Sequence, residues 1–173
     1  QIDQSVEVEF RNRLSAEFSL TEEYKLFEKD FRNRQIGLQV GYNTREYQSV
    51  RAGVEFGRNF DADFQLWDVS ARYKVTDQLS AEYSLERLVL DPDPERESTW
   101  IHVIRANQFF TKDLFLRVFF QTNSAIDRRN LQAVFVWRYR PPFGSIQVAY
   151  QKGTAPFGQP SNQGHTLFVK ATT

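Results

Sequence analysis

The sequence predicts an all-β protein: an antiparallel, transmembrane, up-and-down β-barrel of about ten strands, with residues 1–173 forming one barrel domain or part of a larger barrel. Three observations carry this. Apolar and polar residues alternate with period two in segment after segment. The connections between segments alternate between long and short. The polar side of the alternation mixes Arg with Glu and Gly, where a solvated soluble face would be rich in Lys.

The first segment shows the alternation at its longest. Val6, Val8, Phe10, Leu14, Ala16, Phe18 and Leu20 fall on one face, and Glu7, Glu9, Arg11, Arg13, Ser15, Glu17 and Ser19 on the other. Only Asn12 interrupts the apolar side. Read as one strand, residues 5–20 far exceed the soluble norm of about 5–6 residues and satisfy the roughly 9–11 that a tilted transmembrane strand needs. Nine further segments follow. Ile36, Leu38, Val40 and Tyr42 alternate with Gln and Gly, and Val50, Ala52, Val54 and Phe56 with Arg51, Gly53, Glu55 and Gly57. Trp67, Val69, Ala71, Tyr73 and Val75 oppose Asp68, Ser70, Arg72 and Lys74. Leu79, Ala81, Tyr83 and Leu85 oppose Ser80, Glu82, Ser84 and Glu86. A weaker stripe, Trp100, Ile104, Ala106 and Phe110, is interrupted by His102 and Gln108. Leu114 to Phe120 then alternate against Arg117 and Gln121, and Leu131 to Tyr139 against Asn130, Gln132 and Arg138. Ile146, Val148 and Tyr150 make the ninth segment, and Leu167, Val169 and Ala171 the tenth. No stretch has a helical period.

The expected connections run long (21–34), short (43–48), long (58–65), short (76–78), long (90–98), short (111–113), medium (123–129), short (141–144) and long (151–164). Short turns on one side and longer loops on the other are the habit of outer-membrane barrels. With ten strands both termini would fall on the short-turn, periplasmic side. A soluble meander with loops of chance length is the competing reading.

Composition fits a barrel whose hydropathy signal is diluted. Mean hydropathy is −0.56, and no apolar run approaches the ~20 residues of a transmembrane helix. Aromatics make up 15%, with 16 Phe, and Arg outnumbers Lys 16 to 6. Arg's planar fork suits dense carboxylate networks in a crowded lumen. Lys+Arg and Asp+Glu both total 22, so no overall field recruits nucleic acid. Cys is absent, excluding disulfides and thiolate metal sites; Met is absent as well. The missing Met, and the end at Thr173 without a terminal aromatic, lead to the expectation of a piece of a longer polypeptide.

Alternation alone does not say whether the greasy face meets lipid or a soluble core. The polar face favours a lumen occupied by charge pairs, with Glu9, Arg11, Arg13, Glu17, Arg51, Glu55, Arg72, Glu82, Glu86, Arg117 and Arg138 as its network. Trp67, Tyr73, Trp100, Phe110, Trp137, Tyr139 and Tyr150 stand near expected strand ends, where interfacial girdles belong. Val69, Phe135 and Val148 are expected on the outer wall.

The stretch Phe109-Phe110-Thr111-Lys112-Asp113-Leu114-Phe115-Leu116-Arg117-Val118-Phe119-Phe120-Gln121-Thr122-Asn123-Ser124, with Trp137-Arg138-Tyr139-Arg140-Pro141 and Leu167-Phe168-Val169-Lys170, resembles the C-terminal region of a family known mainly as a domain of unknown function. Those large Gram-negative proteins place a carbohydrate-binding-like β-sandwich before a membrane barrel. The resemblance is best over 100–173 and only general before that, and no sandwich is present in this sequence. It implies a location in the bacterial outer membrane and supplies no catalytic residues.

A search for chemistry favours structural readings. The two histidines, His102 on an apolar stripe and His165 beside Ser161 and Gln163, have no partner nearby in sequence, so no hydrolase constellation stands out. The carboxylate pairs Glu7/Glu9 and Glu82/Glu86 sit among Arg11, Arg13 and Arg72 and read as ion-pair partners. Asp91, Asp93, Glu95 and Glu97 lack the glycine and spacing of a calcium loop. No cofactor is expected and no enzymatic role. The expected function is a transport, anchoring or envelope-complex barrel, with outer-membrane lipid and other envelope proteins as partners. A soluble small-ligand barrel, its apolar face lining a pocket, and a lipid-modifying enzyme are the alternatives.

Overall fold

A computed structural model describes residues 1–27, 29–92, 98–126, 128–153 and 164–173. Within them the chain is a run of β-strands: β1 (Ile2–Glu9), β2 (Leu14–Phe27), β3 (Lys29–Tyr42), β4 (Ser49–Asn59), β5 (Ala62–Lys74), β6 (Leu79–Asp91), β7 (Thr99–Thr111), β8 (Leu114–Asn123), β9 (Arg128–Arg140), β10 (Gly144–Lys152) and β11 (His165–Thr172). They form one antiparallel sheet in strict sequence order, β1 to β11. No helix occurs among the described residues, and none is long and apolar enough to cross a membrane. At the two ends of that order, β1 is laddered to β2 and β11 to β10.

The strand count corrects the expected ten. The sixteen-residue first strand is a hairpin. Phe10 N–H donates to Leu14 O at 2.8 Å, Arg13 N–H to Phe10 O at 3.0 Å, and Arg13 turns the chain at φ 70°. Asn12, the single break in the apolar face, accepts a hydrogen bond from Leu14 N–H at 3.4 Å. The turn is hidden because it preserves parity. Val6 pairs with Phe18, Val8 with Ala16 and Glu7 with Glu17. Even-numbered residues therefore stay on one face through the reversal, and the alternation reads as unbroken.

Two expected long connections are strand or tight turn instead. In the span 21–34 the chain continues as the ends of β2 and β3. The ladder sets Glu22 opposite Arg34 and Tyr24 opposite Arg32, and opposite charges across a ladder stabilise pairing. Glu22 and Arg34 form an ion pair at 3.5 Å, and Tyr24 donates to Asp30 Oδ1 at 2.6 Å. In the span 58–65, β4 and β5 are joined by Phe60 and Asp61 alone. Phe60 adopts φ 55° without the Gly or Asn that announces such a turn. Asn33 of β3 holds it there. Its Oδ1 accepts from Phe60 N–H at 2.8 Å, and its Nδ2 donates to Asn59 at 3.2 Å. The other connections fall where the residues indicated, and the longest, after β10, lies mostly outside the described residues.

The described chain divides into two units, residues 1–71 with 84–100, and residues 72–83 with 101–173. In the first unit, β3 shows how the faces are used. Ile36, Leu38, Val40 and Tyr42 are 37%, 51%, 48% and 50% exposed. Between and beyond them on the other face, Gln35, Gly37 and Gln39 are half-buried and Gly41 is buried, while Phe31 is 9% and Asn33 4% exposed. β5 repeats the pattern, with Trp67 and Val69 exposed and Leu66, Asp68 and Ser70 half-buried. In the second unit the buried apolar side chains are Phe115 and Val136, which are ladder partners on the polar face. Along Ile36–Tyr42 the exposed positions are the apolar ones, the reverse of the usual relation in globular proteins.

Candidate functional site

On the polar face of the first unit, the expected charge residues take different partners from those their spacing suggested. Arg11 and Arg13 lie in the β1–β2 turn and not on a strand face. Arg13 donates to Asn43 at 3.4 Å, and Glu9 is paired with Arg45, a residue of the β3–β4 connection that sequence reasoning passed over. Arg51 stands on β4 opposite Gly41, and Glu55 opposite Gly37.

Glu17, Ser19, Gly37, Gly53, Glu55 and Asp68 line a recess of about 180 Å³. Gly53 is what lets the Asp68 carboxylate into it, since a Cβ at Gly53 would occupy the place of Asp68 Oδ1. The carboxylates do not amount to a metal site. Among the described residues no group of three or more His, Cys, Asp or Glu could hold an ion. Asp93, Glu95 and Glu97 of the acidic loop lie outside the described residues.

In the second unit Glu82 of β6 is a hub. It pairs with Arg72 of β5 at 3.6 Å and with Arg105 of β7 at 2.7 Å. Arg105 falls on the polar positions of the period-two pattern, opposite the face of Ile104 and Ala106, where the apolar stripe is weak. The partners are about half exposed, so each pair contributes at most about 1 kcal/mol.

Arg117 and Arg138 have a different environment. Both guanidinium groups lie over the ring of Phe115, at 5.0 and 5.5 Å from its centroid, and Arg105 lies over Phe119 at 5.6 Å. The ring of Phe109 meets Phe115 at 5.5 Å. Glu86 belongs to the polar positions of β6 in the first unit.

The aromatics of the apolar face are arranged as follows. Tyr73, Trp100, Phe110, Trp137 and Tyr139 are exposed near strand ends, and Tyr150 is half-buried near the end of β10. Trp67 corrects the pattern: it is in the middle of β5, because that strand runs on through Asp63 and Gln65 beyond the apolar stripe. Trp67 marks the edge of the stripe, edge-to-face with Phe56 at 6.1 Å, and Arg58 follows Phe56 on β4. Val69 is exposed as expected, while Phe135 and Val148 are half-buried; Arg13, Arg72 and Arg117 are exposed and Glu55 half-buried.

Each histidine has its partner on a neighbouring strand. Tyr83 Oη lies 2.9 Å from His102 Nδ1, and Tyr150 Oη lies 2.7 Å from His165 Nδ1. Both pairs link aromatic rings on the apolar face, which accounts for two polar rings among greasy neighbours. Ser161 and Gln163 lie outside the described residues.

The chain matches no family model, no curated protein and no solved structure.

Proposed function

We propose that this chain forms wall of a bacterial outer-membrane β-barrel, its apolar face against lipid and its polar face toward a lumen. In this reading it is a transport, anchoring or envelope-complex component and performs no reaction of its own. One observation carries the reading: along β3 the apolar residues Ile36 to Tyr42 are the exposed ones, and the intervening polar positions are the covered ones. In water such a continuous greasy strip is costly, and contiguous exposed apolar surface marks a lipid or partner interface. Lipid as the solvent of that face removes the cost. The soluble small-ligand alternative needs the same face turned inward to line a pocket, which its exposure disfavours. The resemblance of residues 109–124 to the barrel region of the Gram-negative family points the same way.

The absence of native Cys permits a direct test. Single cysteines at 37, 38, 39, 40 and 41, labelled with a polarity-sensitive fluorophore, are reconstituted in vesicles with and without a lipid-chain quencher. Quenching at 38 and 40 but not at 37, 39 and 41 is the expected result. Uniform quenching, or none at 38 and 40, contradicts the proposal.

A further inference from the structure

The balance of 22 acids and 22 bases conceals a division. Residues 101–173 hold nine bases and two acids, Asp113 and Asp127. Several of these bases fall on the polar face of the second unit, and Arg117 and Arg138 converge on one buried ring. Phe115 is 6% exposed, and both guanidinium groups lie over its ring, at 5.0 and 5.5 Å from the centroid. Two like charges drawn to one ring repel each other, and stacking does not cancel that repulsion. Among the described residues neither has a carboxylate partner, since Glu82 is engaged by Arg72 and Arg105. Both arginines are exposed. A guanidinium held over a ring and exposed to solvent keeps N–H donors that can take an oxyanion through two parallel hydrogen bonds.

We infer that the Arg117–Phe115–Arg138 cluster is a binding site for a small soluble oxyanion bearing phosphate or carboxylate groups. The ring presets both forks, and the anion supplies the negative charge that the local sequence lacks. On the proposed barrel this makes the polar face of β8 and β9 an anion-binding stretch of the lumen, so the meaning of the site rests on that reading. The binding itself does not, and it is measured independently of any bilayer.

The test uses the 173-residue chain folded in detergent at low chloride. Inorganic phosphate is titrated by phosphorus NMR and citrate by calorimetry, so the two arms distinguish phosphate from carboxylate recognition. Arg117→Gln or Arg138→Gln is expected to weaken binding about tenfold each, and the double variant about a hundredfold, the loss of one charge-assisted contact per residue. Arg129→Gln, on the opposite face of β9, is expected to leave affinity unchanged and controls for net charge. Arg117→Lys with Arg138→Lys keeps the charge without the planar fork and is expected to fall between, which tests the site even if the glutamine double variant does not fold. Wild-type chain that binds neither anion at millimolar concentration, or an Arg129→Gln variant as impaired as Arg117→Gln, overturns the inference. Failure of the quenching experiment with these affinities intact would sink the membrane reading and leave the site standing.

Discussion

Replacing Leu38 by Arg separates lipid from water as the solvent of the apolar face. Leu38 lies within the stripe of β3, with Ile36 on one side, Val40 and Tyr42 on the other, and Arg34 beyond Ile36. Its ladder partners Phe18 and Val54 are apolar as well. The stripe from Ile36 to Tyr42 spans roughly 20 Å at about 3.3–3.4 Å per residue, so Leu38 is within one residue pair of its centre. Arg on the lipid face of a barrel costs about 2–4 kcal/mol at the midplane and about 0–1 kcal/mol near the interfaces. In water the half-exposed Leu38 would accept Arg within about 0.5 kcal/mol. The three Trp residues report unfolding by fluorescence, so guanidinium titrations in lipid vesicles give the comparison. Leu38→Arg is expected to lose at least about 2 kcal/mol, roughly 30-fold in the folding constant. Arg at Ile36, next to the native Arg34, should lose markedly less. Equal and negligible losses at both positions would refute the argument from depth, and with it the case for lipid.

Gly53→Val is expected to destabilise by about 1 kcal/mol, the low end of overpacking, because its Cβ would displace the Asp68 carboxylate, the free end of that side chain. Adding Asp68→Ala should recover most of the loss, and a double-mutant cycle showing simple additivity would contradict the contact. Asn33→Ala should cost about 1 kcal/mol by removing the acceptor of the Phe60 N–H. Hydrogen exchange of the Phe60 amide, expected to speed up in that variant, checks it.

The period-two pattern is enough to establish an antiparallel all-β chain, to place nine of the eleven strands singly with the first two read as one, and to sort residues between two faces. Those properties follow from strand stereochemistry alone, since successive side chains must point to opposite sides. Alternation names a face and not a neighbour. It could not see the turn at residues 10–13, because that hairpin keeps parity. Residues 21–34 read as a loop, because the positions continuing the apolar face become charged at Glu22, Arg32 and Arg34 before the strands end. The turn at Phe60 falls within the expected connection 58–65, but its tightness rests on Asn33, twenty-seven residues earlier. Glu9 with Arg45, Glu82 with Arg105 and the two Tyr–His pairs are likewise products of register, set by turns and cross-strand packing. The convergence of Arg117 and Arg138 on Phe115 is of the same kind. The sequence places the three on the polar positions of two strands, and only the β8–β9 register stacks both cations on one ring.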